Sequence, residues 1–497
     1  MATAMVNGIP RPVSPGTLLS QLLAPDAQLE TPCGGRGRCG KCRVIARGEL
    51  SEPSEEEKRC LSEEELARGL RLACCTRALG DCEISTTAAA KAHVLADGDG
   101  LEPVHPLFSR YGAAVDIGTT TLAACLYGAD GSLLARAGCM NPQAPWGADV
   151  ISRISAALEG QGPALAQSVR GGINGLLAEM AAQAGISVHQ LDGLVITGNT
   201  AMLYLLTETD PECLSHAPFA ATDLFGRRLA GRQLGLDCPD ATVYLPPCFA
   251  AFVGADTSTA LLASGITRQP GIRLLADIGT NGEIALWDSG RLLCCSTAAG
   301  PAFEGAGLSM GMPGRDGAVD RVRLQNGALQ AHVLGDSEPV GICGSGVVDA
   351  LACLLETGQL DETGLLDPAP AVICGPVSLT QKDVRAIQLA KSAVAAGMET
   401  LVQTAHRSFD QLEELAVAGG FGSYLDVESA GRIGLLPAQL TDRVRVLGNA
   451  ALRGAAMLLL NQSLAGLCEE LTRQAEVVDL SCDPVFMQAY TDCMFFE

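Results

Sequence analysis

Apolar runs closed by glycine divide much of the chain into short strands, and one such run occurs twice. Ala114-Val-Asp-Ile-Gly-Thr-Thr-Thr121 returns as Leu275-Ala-Asp-Ile-Gly-Thr-Asn-Gly282, 161 residues later, and a repeat of that period points to duplication. In each copy an apolar strand runs into Asp-Ile-Gly-Thr, turns tightly, and continues as a second strand, Leu122–Tyr127 or Glu283–Trp287. A further apolar strand, Leu415-Ala-Val-Ala418, ends in Gly419-Gly420-Phe-Gly422. Helices are predicted near Val150 and after Asp256: Asp149 reads as the N-cap of the first with Arg153 in a surface pair, and Asp256 reads equally as an N-cap or as a group that orients water. The small residues of Gly448–Ala456 predict a close-packed connecting helix.

Nearer the N-terminus the pattern predicts a strand at Met5–Asn7, a turn at Asn7-Gly8, an apolar helix over Thr17–Ala24 and a strand at Val44–Ala46. The opening is short, so an abbreviated first hairpin is expected. Residues 89–108 mix alanine, glycine and proline without helical period and predict a linker.

Length and charge narrow the picture. A chain of 497 residues exceeds one ordinary core, so two or three domains are expected. The predicted division is 1–88, a linker 89–108, and two related lobes at 109–270 and 271–497. A net charge of -22 repels phosphate backbones and anionic lipid, which disfavours nucleic-acid and membrane-surface partners. The first 88 residues carry 11 Lys+Arg against 12 Asp+Glu, so the acid is concentrated beyond them. No apolar run reaches spanning length, and the opening residues lack a secretory pattern. A cytoplasmic protein with reduced cysteines is expected, with Cys294 and Cys295 as core residues.

Against that background, Cys33-Gly-Gly-Arg-Gly-Arg-Cys39-Gly-Lys-Cys42 stands out. Closely spaced thiols with a distant fourth are a ligand pattern of iron-sulfur centres. The interleaved glycines let backbone wrap a bulky group. Zinc fits poorly, because only Cys39 and Cys42 form a C-x2-C pair. Simple burial fits poorly too, because Arg36, Arg38, Lys41 and Arg43 lie among the thiols. Together with Arg47 these cations form a basic rim, which either balances the cluster and guides an acidic partner or is a solvated loop. Cys74 is the favoured fourth ligand, with Cys60, Cys75 and Cys82 as alternatives.

The paired Asp-Ile-Gly-Thr turns have chemistry of their own. Such a turn offers amides and hydroxyls to phosphate, and its aspartate can hold Mg2+ through water. Asp116 and Asp277 are the expected Mg2+ residues, and Asp256 is a candidate for orienting water. Gly118, Thr119, Thr120, Gly279, Thr280 and Asn281 are expected around phosphate. With the Gly419-Gly420-Phe-Gly422 turn, this set resembles the phosphate and adenosine motifs of the sugar kinase, Hsp70 and actin superfamily, and the resemblance implies that Gly419, Gly420 and Gly422 lie along adenosine.

CGGRGRCGKCRV followed by GLRLAC resembles the 2Fe-2S ferredoxin domain of the reductive activators of corrinoid proteins. Asn141-Pro-Gln143, Gly147-Ala-Asp149 with Arg153, Gly198-Asn-Thr200, Gly254-Ala-Asp256, Gly300–Gly305 and Gly341–Gly346 resemble that family's ATPase region. The resemblance implies an α/β multidomain chain: a β-grasp 2Fe-2S head, a linker and a two-lobed ATPase, without the extra domain of longer activators. It places the cluster on Cys33, Cys39, Cys42 and Cys74. It also implies ATP-driven transfer of single electrons from a low-potential donor, such as a ferredoxin or flavodoxin, to a corrinoid protein, returning Co(II) to Co(I) in a methyltransferase or O-demethylase system. A homodimer is compatible with it. The competing expectations are a cluster-regulated small-molecule kinase and an activator of another low-potential metalloenzyme.

Overall fold

In the computed structural model, which describes residues 2–23, 35, 37–38, 40–86, 104–421 and 424–496, the first hairpin turns at Asn7 and Gly8. Both have positive φ, 50° and 82°, as a two-residue hairpin turn requires. Strands β1 (Ala2–Val6) and β2 (Ile9–Val13) pair over their full length, from Ala2↔Val13 to Val6↔Ile9. The hairpin is therefore complete, contrary to the abbreviated one expected, because pairing starts at Ala2. Thr17–Leu18 forms β3 on the sheet edge, so helix α1 (Leu19–Leu23) starts two residues later than its apolar pattern suggests.

The head continues with β4 (Arg43–Leu50), α2 (Glu55–Cys60), α3 (Glu63–Ala67), β5 (Leu70–Leu72) and β6 (Arg77–Ser85). The sheet runs β2-β1-β6-β4-β5, with β3 also on β6. β1 lies parallel to β6, and the other pairs are antiparallel. β6 alternates exposed and buried residues throughout, and its inward Ala78 and Ile84 join Val6, Leu19, Leu23, Val44 and Leu72 in one core. This is the β-grasp arrangement.

The backbone groups into two compact units. Met1–Lys91 and Pro142–Glu159 form the first; Ala92–Asn141 and Gly160–Glu497 form the second. Within Pro142–Glu159, Asp149 caps helix α4 (Val150–Ala156), its carboxylate accepting from Ser152 N at 2.7 Å. Arg153 is buried rather than a surface partner; its Nε donates to the Gly147 carbonyl at 3.0 Å.

The second unit carries two six-stranded sheets of the same plan. The first is built from β7 (Tyr111–Ile117), β8 (Thr121–Gly128), β9 (Leu133–Met140), β10 (Leu191–Gly198), β11 (Phe225–Ala230) and β12 (Thr242–Pro247), in the order β11-β12-β10-β7-β8-β9. Helices α5 (Gly162–Gln183), α6 (Thr200–Thr207) and α7 (Ala255–Ser264) belong to this half of the sequence. The second sheet comprises β13 (Ile272–Ile278), β14 (Gly282–Asp288), β15 (Arg291–Thr297), β21 (Glu414–Ala418), β22 (Val444–Gly448) and β23 (Glu476–Val477), ordered β22-β21-β13-β14-β15-β23. Between its third and fourth strands lie β16 (Ala318–Gln325), β17 (Ala328–Val333), β18 (Gly341–Ile342), α8 (Gly344–Glu356), β19 (Ala371–Cys374), β20 (Val377–Leu379) and α9 (Gln381–Thr404). Each sheet opens with a three-stranded antiparallel meander and then adds two parallel strands on the far side of its first strand. The duplication read from the short repeat thus extends to five strands of each sheet, while the sixth lies on opposite edges, β11 beside β12 and β23 beside β15.

Helix α10 (Val427–Arg432) leads toward β22, and α11 (Ala450–Leu460) follows it. α11 buries Leu452, Ala455 and Leu459 with Ala114, Ala123 and Val195 of the first sheet, although it follows a strand of the second. α7 makes the reverse crossing, burying Ala260 and Leu261 with Leu275 and Ala416. The two helices meet where a Cβ on Gly454 would lie 1.9 Å from the Thr259 carbonyl oxygen. Gly454→Ala is expected to destabilise the chain by on the order of 3 kcal/mol, since overpacking against backbone has no soft partner to move; calorimetry on the full chain measures it. Residues 87–103, most of the expected linker, lie outside the described residues. The last part of the expected linker packs down: Leu107 N donates to the Leu459 carbonyl at 2.8 Å and Phe108 is buried. Among the described residues no helix is long and apolar enough to cross a membrane.

Candidate functional site

The head brings two of the expected cluster ligands together through its strand register. β4 pairs with β5 so that Arg43 faces Leu72, and Ala73 N donates to the Cys42 carbonyl at 2.8 Å. Cys42, just before β4, and Cys74, just after β5, therefore emerge side by side. Their sulfurs lie 3.2 Å apart, and both residues are buried. Cys33 and Cys39 lie outside the described residues.

The loop glycines come close to these thiols. Gly37 has φ 65°, and a Cβ there would meet Cys75 Sγ at 2.7 Å and Glu56 Cβ at 2.8 Å, so only glycine fits. Arg43 is engaged rather than a free member of the basic rim: its Nε donates to the Gly40 carbonyl at 3.0 Å and Nη1 pairs with Glu65 at 2.7 Å.

Beneath the thiols, Glu57 is fully buried. It accepts from Arg71 Nε at 2.9 Å, Leu72 N at 3.1 Å, Thr76 Oγ1 at 2.8 Å and Ser54 N at 3.1 Å, which ties down the segment carrying Cys74. Burial pushes its carboxyl up, but these donors outweigh burial and hold it below the ordinary value. The stabilisation Glu57 gives is therefore present above its unfolded pKa, about 4.3, and is lost as pH falls through the lower folded value. Glu57→Gln leaves Arg71 buried without its counter-charge and is expected to cost on the order of 3 kcal/mol. Thermal melts of the full chain at pH 7 and pH 4 should show the difference from the unaltered protein shrinking in acid.

The thiols fit an iron-sulfur group. The Cys42 thiol raises the Cys74 pKa by hydrogen bonding, with burial adding to it, and burial then Cys74 push Cys75 up to about 12. Two sulfurs this close suit neighbouring ligands of one metal group, which holds a coordinating thiol deprotonated.

The second unit contains a cleft of about 390 Å³ between its two sheets. Asp116 and Asp277 are the penultimate residues of β7 and β13, so the duplication delivers one carboxylate from each sheet. Gly118 N donates to the Thr121 carbonyl at 2.9 Å and Gly279 N to the Asn281 carbonyl at 3.0 Å, closing both loops tightly. The loops meet: Thr120 Oγ1 and Thr280 Oγ1 are 3.3 Å apart. Thr119 is held by Asn199 Nδ2 at 3.2 Å. All the expected loop residues, Gly118, Thr119, Thr120, Gly279, Thr280 and Asn281, line the cleft.

Gly419 and Gly420 also line it, whereas Gly422 lies outside the described residues. Gly419 sits where a Cβ would be 2.8 Å from Asp277 Oδ1, while Gly420 faces open space. Phe421 stacks on Phe303 with ring centroids 5.0 Å apart.

Asp256 reaches the cleft from the first turn of α7, but Gly254 is the N-cap, which corrects the capping alternative. Its Oδ1 accepts from Thr257 N at 2.7 Å. Two residues of the floor were not foreseen. Asn449 Nδ2 donates to Asp116 Oδ2 at 2.9 Å. Glu283 stands directly across the β13–β14 ladder from Asp277, a like-charge pairing that sheets avoid. The repeat gives Glu283 away, because Ala123 faces Asp116 in the first copy.

Burial is the largest cause raising all four carboxylates. Asp116 is pushed up to about 7, with Asn449 opposing and Asp256 adding, and Asp256 to about 6. Asp277 reaches about 8, with the charges of Asp256 and Asp116 adding to burial, and Glu283 rises well above its ordinary value. Hydroxyls and amides of the two loops line the same cleft as these carboxylates, and such groups can receive an anion.

Comparison with known proteins follows the same division. Residues 5–79 match the 2Fe-2S iron-sulfur cluster binding domain. Residues 111–269 match the RACo middle region, and 271–497 the C-terminal domain of RACo, the ASKHA domain. The segment read from sequence as the first ATPase lobe is thus where that family's middle region matches.

The chain is 36% identical over 438 residues to the corrinoid activation enzyme RamQ of Eubacterium limosum, covering 80% of this chain and 73% of RamQ. It is 29% identical over 328 residues to the [Co(II) methylated amine-specific corrinoid protein] reductase of Methanosarcina barkeri, covering 58% of this chain and 59% of that one. A solved structure of a reductive activator for corrinoid, iron-sulfur protein superimposes with a TM-score of 0.74 at 26% identity, covering 100% of this chain and 98% of the other. A 2Fe-2S head, paired phosphate-type loops and these relatives converge: the chain belongs to the family of reductive activators of corrinoid proteins.

Proposed function

We propose that this chain passes single electrons from a low-potential donor protein to a corrinoid protein, returning inactive Co(II) to Co(I), and that ATP hydrolysis in the cleft drives the step. Supporting this reading, one chain carries both a buried thiol pair of cluster type and a duplicated cleft whose two loops meet. Residues 1–88 form the redox head, 89–108 the tether, and 109–270 and 271–497 the two ATPase lobes. The chain acts in the cytoplasm.

Cys33, Cys39, Cys42 and Cys74 hold a 2Fe-2S cluster, which supplies one-electron storage near about -400 mV. Each further 100 mV uphill costs roughly 2.3 kcal/mol per electron. Asp116 and Asp277 position Mg2+, Thr119, Thr120, Thr280 and Asn281 donate to phosphate, and Asp256 orients water. Gly419, Gly420 and Gly422 lie along adenosine. A closed, nucleotide-bound form assists electron transfer by binding one state of the acceptor better than the other, since only differential affinity shifts an equilibrium.

The test mixes reduced protein, MgATP and a Co(II) corrinoid protein anaerobically and follows the cobalt absorbance. Co(I) is expected only with hydrolysable nucleotide. Equal reduction without ATP would remove the coupling.

A further inference from the structure

Glu304 lies where the two loops meet. It ends a short turn, Pro301–Glu304, that follows β15. The turn is held by Gly305, where a Cβ would meet the Met312 carbonyl oxygen at 2.4 Å. Glu304 Oε2 accepts from Thr280 Oγ1 at 2.8 Å and from Thr120 Oγ1. One carboxylate oxygen thus takes hydroxyl donors from both lobes, at the place assigned to phosphate.

From this position, we propose that Glu304 is the general base that takes the proton from the water attacking the terminal phosphate. The inference rests on reading the cleft as a nucleotide-hydrolysing site. In the step, the water oxygen bonds to the terminal phosphorus as its bond to the bridging oxygen breaks. ADP leaves with that oxygen, and the water proton passes to Glu304 and then to solvent.

Two features separate Glu304 from the other acids. Asp116, Asp256, Asp277 and Glu283 crowd together in the cleft, where Asp256 raises each of the other three, and Asp116 and Asp277 serve Mg2+ while Asp256 orients water. Glu304 instead stands at the loop junction, where its carboxylate accepts from Thr120 and Thr280. Asp320, on the cleft wall, is engaged by His332 Nδ1 at 2.5 Å. The second is exchange. Phosphate arriving at Thr120 and Thr280 takes the hydroxyls that Glu304 now holds. Losing two donors and gaining an anionic neighbour both favour proton uptake by a carboxylate, so the base is armed by the substrate it serves.

The experiment compares the full chain with Glu304→Gln, which keeps the side chain's shape, and with Glu304→Ala. Calorimetry measures MgADP binding, and phosphate release measures hydrolysis at saturating ATP. Glu304→Gln is expected to bind MgADP within threefold of the unaltered chain and to hydrolyse ATP about 100-fold more slowly. Formate added to Glu304→Ala is expected to restore part of the rate, which a packing role would not allow. A loss of rate below tenfold in Glu304→Gln overturns the proposal, as does a loss of MgADP affinity as large as the loss of rate. An unaltered chain that binds no MgADP instead overturns the reading of the cleft itself.

Discussion

Asp277→Asn is expected to slow ATP hydrolysis and ATP-driven cobalt reduction by at least about 100-fold, while raising the melting temperature of the nucleotide-free chain at pH 8. Both effects have one origin. Asp277 faces Glu283 across the ladder, and burial together with Asp256 and Asp116 raises its carboxyl to about 8. Without a cation its charge is a burden on the fold.

A carboxyl whose folded pKa is raised stabilises fully below its unfolded pKa, about 3.9, and that contribution is lost as pH rises through the folded value. The nucleotide-free, Mg2+-free chain should therefore lose stability between about pH 4 and pH 8. Asparagine removes this dependence at one position, and Mg2+ with ATP masks it in the unaltered protein. Melting curves at pH 6 and pH 8, with and without MgATP, measure the effect. A variant that keeps normal hydrolysis would show that Asp277 has no part in the phosphate site.

The second large effect concerns the head. Cys74→Ser is expected to lower bound iron and sulfide, and the visible absorbance they give, by more than tenfold after anaerobic reconstitution, while ATP hydrolysis stays within about twofold. Cys42 and Cys74 are the pair placed side by side by the β4–β5 register, at 3.2 Å, and a hydroxyl is a poor substitute for a thiolate there. Cys75→Ser is the control. Its sulfur is 3.6 Å from that of Cys74, so proximity alone does not separate the two. Retained iron in Cys74→Ser and lost iron in Cys75→Ser would exchange their roles.

What the sequence made legible follows from which interactions are local. The Asp-Ile-Gly-Thr repeat encodes a strand, a turn and a second strand within eight residues, so both hairpins and both loop aspartates could be read from it. The Asn7-Gly8 turn was legible for the same reason. Asn449 was not, because its role arises from a hydrogen bond to Asp116, 333 residues away. Glu304 sat in a recognised motif without a role, since only the meeting of Thr120 with Thr280 gives it one. Arg153 was misjudged because a charged side chain reads as exposed until the Gly147 carbonyl that receives it is seen. Asp256 suggested a cap because acids open helices, whereas the chain spends Gly254 on that position and turns the acid inward.

The crossing of α7 and α11 restricts how the cleft can move. α7 begins beside Asp256, and α11 begins beside Asn449, which holds Asp116; both helices are anchored at the cleft floor. They touch at Gly454 and the Thr259 carbonyl, where there is no room for one added carbon. So tight a contact resists sliding of one helix past the other, and any movement between the lobes is expected as rotation about it. A ligand that changed that angle would alter the surface offered to a docked protein without touching it.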